Sequence, residues 1–246
     1  METITNKGLS RFGTILALGL IIVAIIDAGT FYRSKSFQDT VSVTGSSQIS
    51  VRSDMVKWRS NFSRTVAIDD LQDGYARMKW ESDTILQYLK QNKIAENEIT
   101  INPVSIYPQY QQDSFGSNGK VIGYNLTQTV IVESGDIDTI IKIAKDSGVL
   151  INQGIIFASD PLEFYYSKLN DLKLDLLADA TKNAKERAEK IAASSGSAVG
   201  SLRSAAVGVF QVTPINSTEI SDYGYYDTSS VDKQVTAVVR ASFSLR

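Results

Sequence analysis

The stretch VKWRSNFSRTVAIDDLQDGYARMKWESDTILQYL, Val56–Leu89, changes its apolar period part-way along. Val56, Trp58, Phe62, Val66 and Ile68 alternate with Lys57, Arg59, Asn61 and Thr65, the period-2 pattern of a half-buried strand. Beyond Asp69 and Asp70 the apolar positions Leu71, Tyr75, Met78, Ile85 and Leu89 follow helical spacing. Either aspartate suits the N-cap, and Asp73 stands in the first turn, where the helix dipole favours negative charge. A strand running directly into an amphipathic helix is the unit from which the rest of the chain is read.

Upstream, VSVTGSSQISV (Val41–Val51) reads as a strand interrupted near Gly45 by a bulge or turn. Downstream, EITINPVSIYPQY from Glu98 reads as a strand pushed to a sheet edge by Pro103 and Pro108. A polar hairpin loop, Gln111–Lys120, leads to a returning strand marked by Ile122, Tyr124, Leu126, Val130 and Val132. Asp136 or Asp138 opens a short helix that Gly148 ends, and GIIFAS (Gly154–Ser159) forms a compact strand. Pro161 marks the start of the longest helix, which runs to about Ser194. Its stripe includes Tyr165, Leu169, Leu176, Ala180, Ala184 and Ala188, and alanines four apart let another backbone approach closely. Strands at Ala205–Val212 and Val235–Leu245 close the chain. The order ββαββαβαββ predicts an α+β fold, with helices packed on one face of a mainly antiparallel sheet. No boundary interrupts residues 40–246, which are expected to form one domain.

The amino-terminal region is of another kind. Phe12–Ile26 contains no charge, and continuing through Phe31 and Tyr32 brings the segment to about 20 residues, enough to span a bilayer. Residues 1–11 then form a short tail, 12–32 the anchor and 33–39 a linker. A cleaved signal peptide also has a short apolar region, and would leave a secreted or periplasmic protein. The anchor is favoured because cleavage would place Ile26 where a small residue is needed. Lys7 and Arg11 on one side balance Arg33 and Lys35 on the other, so charge alone does not orient the segment. The short tail makes an N-inside topology simpler, with the bulk of the chain outside the cytoplasm.

Composition narrows the chemistry. Cysteine and histidine are both absent from the 246 residues, which excludes thiol nucleophiles, disulfides, thiolate or imidazole zinc sites and Ser-His-Asp triads. A net charge of −2 argues against a nucleic-acid binder. Phosphate-loop signatures are missing, and the pairs Asp69/Asp70 and Asp136/Asp138 fall where capping explains them. Glu219, Asp222 and Asp227 lack EF-hand spacing. No catalytic, cofactor-binding or metal-ligating residue is assigned. The candidate partner contacts are Tyr223, Tyr225 and Tyr226 with Asp222 and Asp227, in the acidic loop TPINSTEISDYGYYDTSSVD (Thr213–Asp232). Tyrosines among Gly, Asp and Ser suit adaptable contact surfaces.

Four stretches together resemble the SIMPL-domain family, which includes periplasmic immunogenic and outer-membrane proteins of Gram-negative bacteria. VSVTGSSQISVRSDM is similar to the family's V-x-V-x-G-x-G-x-V-x-x-x-P-D opening, with Ser47 and Ser53 in place of Gly and Pro. EITINPVSIYPQY carries Ile99, Thr100, Pro108 and Tyr110 of a second segment, and IGYNLTQTVIVESGDID resembles a third. GVLINQGIIFASDP and a helix through Ala178, Ala184, Ala188 and Ala192 resemble the carboxy half. The resemblance implies an extracytoplasmic, non-catalytic α+β domain, with ring- or channel-like homo-oligomers and oxidative-stress tolerance among its members. The expectation is therefore a membrane-anchored, self-associating envelope protein. One alternative is a monomeric binding module that recognises a partner through loops 111–120 and 219–230. An envelope hydrolase ranks third, for want of catalytic constellations.

Overall fold

The computed structural model describes residues 6–36, 39–112, 118–219 and 221–246. Helix α1 (Asn6–Ser36) contains an apolar window, Gly13–Thr30, long enough to cross a membrane, and none of that window is buried. The chain divides into two compact units: Met1–Ser47 with Asp175–Gly208 and Ala237–Arg246, and Gln48–Leu174 with Val209–Thr236. Three elements contribute residues to both: β1 (Thr40–Arg52), α4 (Leu169–Ser194) and β11 (Asp232–Leu245). The fold is α+β with mostly antiparallel pairing, as expected, but the strands fall into a five-stranded and a six-stranded sheet rather than one.

The second unit is built on β2 (Met55–Ala67) and β5 (Asn118–Ser134), paired antiparallel from Val56 opposite Ser134 to Ala67 opposite Gly123. Period 2 sends Val56, Trp58 and Phe62 of β2 and Leu126, Val130 and Val132 of β5 into the core. Helices α2 (Leu71–Gln91) and α3 (Ile137–Asp146) cover that face with Met78, Ile85, Leu89, Ile140 and Ile143. Burying each such side chain contributes about 1.5–3 kcal/mol. The outer edge of β5 carries β3 (Ile99–Ile101) and β4 (Ser105–Gln112), so the Pro103 and Pro108 segment does lie at an edge. The outer edge of β2 carries β6 (Phe157–Ser159) and β7 (Glu163–Tyr165). The amino half of β11 pairs with β9 (Gln211–Pro214), and β9 with the parallel two-residue β10 (Tyr225–Tyr226).

In the first unit, the Ala237–Leu245 half of β11 pairs antiparallel with β8 (Val199–Val207). Leu245 N donates to Asp39 O at 2.9 Å, and the Ser42 and Ser242 hydroxyls hydrogen-bond, placing β1 antiparallel along the opposite edge. Helix α4 lays Leu176, Ala180, Ala184, Ala188 and Ala192 against this layer, each at most 3% exposed. The alanine spacing works as expected, and Gly45 completes it. A Cβ at Gly45 would lie 2.2 Å from Ala180 O and 2.4 Å from Ala184 N, so two backbones touch there. Asn183 Oδ1 accepts from Ser46 N at 3.2 Å, and Arg187 Nη1 donates to Thr44 O at 2.9 Å across the crossing.

Several boundaries differ from expectation. Strand β1 is continuous through Gly45, which serves close approach and not a bulge. The long helix begins at Leu169, because Glu163–Tyr165 is extended and paired to β2; Tyr165 belongs to β7 and not to the helical stripe. Asp70 takes the N-cap position of α2 without a side-chain cap bond, whereas Asp136 caps α3 by accepting from Thr139 N at 3.1 Å. Gly148 does not end that segment: a 3₁₀ turn continues through Ser147–Gln153 to Gly154, whose φ of 80° closes it. The strand expected at Ala205–Val212 is two strands, β8 and β9, separated at Gly208–Phe210.

Candidate functional site

Opposite β2, the chain leaves the sheet and returns. Ser60 pairs with Ser159 in β6, and Lys57 with Glu163 in β7. Asp160, Pro161 and Leu162 therefore oppose only Trp58 and Arg59, a bulge of one extra residue of the sort that re-aims side chains at sheet edges. Proline suits the bulge because it has no N–H to leave unpaired. Asp160 N still donates to Arg59 O at 3.0 Å, and Trp58 Nε1 donates to Ser159 Oγ at 2.8 Å, so the departure is pinned at its start. The bulge opens a cleft of about 340 Å³ between Lys57 and Arg59 of β2, Asp160–Glu163, and Thr228 with Ser229.

The far wall is held by a buried ion pair. Asp227 is 3% exposed and Lys233 is wholly buried. Lys233 Nζ donates to Asp227 O at 2.6 Å, to Ser230 O at 2.7 Å and to Asp227 Oδ2 at 3.3 Å. Asp227 Oδ1 accepts from Ser229 N at 2.9 Å and Ser229 Oγ at 2.6 Å, and Oδ2 from Ser230 N at 3.1 Å and from Ser230 Oγ. Burial opposes the carboxylate's charge, but the bonds from Ser229 and Ser230 and the nearby ammonium outweigh it and hold its pKa well below the ordinary range. Burial pushes the Lys233 pKa down, and Asp227 only partly offsets this. Backbone bonds from Phe164 N to Thr228 O (2.7 Å) and from Ser53 N to Val231 O (2.8 Å) fasten the segment to its neighbours.

Tyrosines flank the cleft. Tyr165 and Tyr226 stack with centroids 6.2 Å apart, and Tyr165 Oη donates to Glu163 Oε2 at 2.5 Å. That bond, with burial and the surrounding negative charge, pushes the Tyr165 phenol up to about 12. Lys57 Nζ pairs with Glu133 Oε1 at 2.8 Å. Glu163 and Lys57 are thus engaged, while Arg59 has no ion-pair partner among the described residues. Ligand-facing chemistry here is mixed in charge: a guanidinium, two carboxylates and hydroxyls around one shallow cleft. Among the described residues, no three of Asp, Glu, His or Cys are grouped to hold a metal ion.

The five sequence-predicted contacts have separate fates. Tyr223 projects fully, 97% exposed, and Asp222 is also exposed. Tyr225 and Tyr226 form β10 and are partly exposed, with the Tyr225 phenol pushed up mainly by the negative charge of Glu219. Asp227 is buried, with its oxygens taken up by Ser229, Ser230 and Lys233. The other loop, Gln111–Lys120, falls partly outside the described residues, at 113–117. Sequence reasoning missed Arg59, Asp160 and Lys233. For the turn at Asp227 a signal existed: Asp-Thr-Ser-Ser is an Asx-turn pattern, in which an aspartate binds the amides two and three residues on.

Residues 41–243 match the family model SIMPL, described as a protein of unknown function (DUF541). The match spans the region where the strand and turn patterns place the resemblance. No curated protein matches the chain.

Proposed function

Because the chain belongs to the SIMPL family, we propose that it is a membrane-anchored, extracytoplasmic, non-catalytic protein that self-associates at the cell envelope in a stress-related role. The observation that carries this reading is the helical window Gly13–Thr30, 18 residues that are apolar on average, with Asp27 their one charge and none of them buried. An isolated apolar helix of that length exposes to water a surface that a bilayer would cover. Self-association is supported by strand edges: among the described residues β8 pairs only with β11, and it carries Leu202 and Val207 at 47% and 58% exposure. Exposed edge strands of this kind are templates for pairing with another chain. The test is the full chain in detergent, its protein mass read by light scattering behind a sizing column. A discrete multiple of 26.9 kDa is expected, and a monomer at high concentration counts against self-association. Resistance of the membrane-bound protein to alkaline carbonate tests the anchor separately.

The cleft at the β6–β7 bulge favours a second reading, a binding module whose walls include part of the Tyr-rich loop. Deleting Glu219–Ser230 would remove Asp227 and its network, so point changes are the better probe. Under this reading Arg59→Ala and Tyr223→Ala abolish partner capture while leaving thermal stability unchanged; capture that survives both refutes it.

A further inference from the structure

We propose that one end of the first unit, where β1 begins and β11 ends, rests on the membrane and docks onto anionic lipid headgroups. This builds on the reading of α1 as an anchor. The helix continues beyond the apolar window, from Thr30 to Ser36, a further rise of roughly 9 Å. The headgroup layer of one leaflet is about 5–8 Å deep, so a helix along the bilayer normal ends near its outer edge. Strand β1 starts at Thr40, and four Cα steps reach at most about 14 Å even when fully extended. A tether this short keeps the start of β1 close to the headgroups.

Strand pairing fixes what shares that end. Leu245 N donates to Asp39 O, and Ala198 and Arg246 exchange two backbone hydrogen bonds of 2.9 and 2.8 Å. The turn from α4 into β8, through Ser195 and Gly196, therefore lies beside Asp39 and Arg246. Along the sequence, Arg33 and Lys35 precede this end and Arg246 belongs to it, with Asp39 as the acidic side chain between them. Clustered juxtamembrane lysines and arginines are drawn to anionic leaflets. Tether length and charge thus select the same occupant, a lipid surface.

The absence of native cysteine makes the test direct. Ser195→Cys, Ser197→Cys and Ala206→Cys each accept one fluorophore. Ala206 lies on β8, about 26 Å along the strand from Ala198. The full-length variants are reconstituted in phosphatidylcholine–phosphatidylglycerol vesicles containing headgroup-quencher lipid, and vesicle flotation is recorded alongside. The expected result is several-fold stronger quenching at positions 195 and 197 than at 206, with the difference shrinking when phosphatidylglycerol is omitted. Equal quenching at all three sites in protein that floats with the vesicles overturns the docking and leaves the anchor standing. A difference indifferent to phosphatidylglycerol overturns the anionic-lipid assignment. Failure to float overturns the anchor reading, and the docking with it.

Discussion

With its ammonium out of water, Lys233 binds two carbonyls and a carboxylate, and the Thr228–Ser229 wall of the cleft depends on it. Lys233→Met leaves Asp227 buried without its counter-charge, and breaking a buried pair in this way costs about 3–5 kcal/mol. Urea unfolding of the purified protein checks this, with Thr181→Ala at a half-buried helical position as a comparison. Acid should act on the same pair. The Asp227 pKa is depressed in the folded state, so its contribution is fully present above the ordinary carboxylate value of about 4. That contribution fades as the pH falls below this value and toward the folded pKa. Asp227→Asn should therefore flatten the pH dependence of stability on the acid side, as read by urea midpoints between about pH 2 and 6. For Tyr165, Glu163→Gln should bring the phenol titration from about 12 back toward the ordinary value near 10, as followed by ultraviolet absorbance.

Among the elements, the crossing of β1 and α4 has the least tolerance. Gly45→Ala drives a methyl into the backbone of Ala180 and Ala184, and overpacking of a tight core typically costs about 1–3 kcal/mol. Here the neighbour is backbone and cannot rotate away, so the upper end or more is expected. Gly148→Ala, where an added Cβ meets nothing within 4 Å, should stay within about 0.5 kcal/mol in the same denaturation assay. The elements also show which patterns are legible. Strands β2 and β5 were readable because one face is buried and the other wet, so period 2 is written in residue type. Strand β8 was misplaced because Ser201–Val207 is exposed on both faces and leaves no alternation to detect. The start of α4 was set too early because Tyr165 precedes Leu169 by four residues and imitates a helical stripe while it pairs with β2. At the site, the tyrosines were visible as composition. The burial of Asp227 was not, because it depends on a lysine six residues on, which the local pattern does not mark as a partner.

At the scale of the whole molecule, the exposed strand edge and the apolar N-terminal helix are expected to make separable contributions. Leu202→Lys combined with Val207→Lys places charge on β8, a device by which natural edges resist pairing. If β8 mediates association, the pair should reduce the detergent-phase mass to that of one chain, as measured by light scattering, without altering membrane retention. The two units differ in another respect. The first gathers three separated stretches, and the hydroxyl pair Ser42–Ser242 joins positions 200 residues apart. Closing a loop that long is entropically costly, and distant pairings slow folding. During synthesis, β1 emerges just after the apolar helix, almost two hundred residues before β11, the strand it must pair with. Until then its apolar residues Val41 and Val43 wait uncovered, within reach of chaperones and proteases.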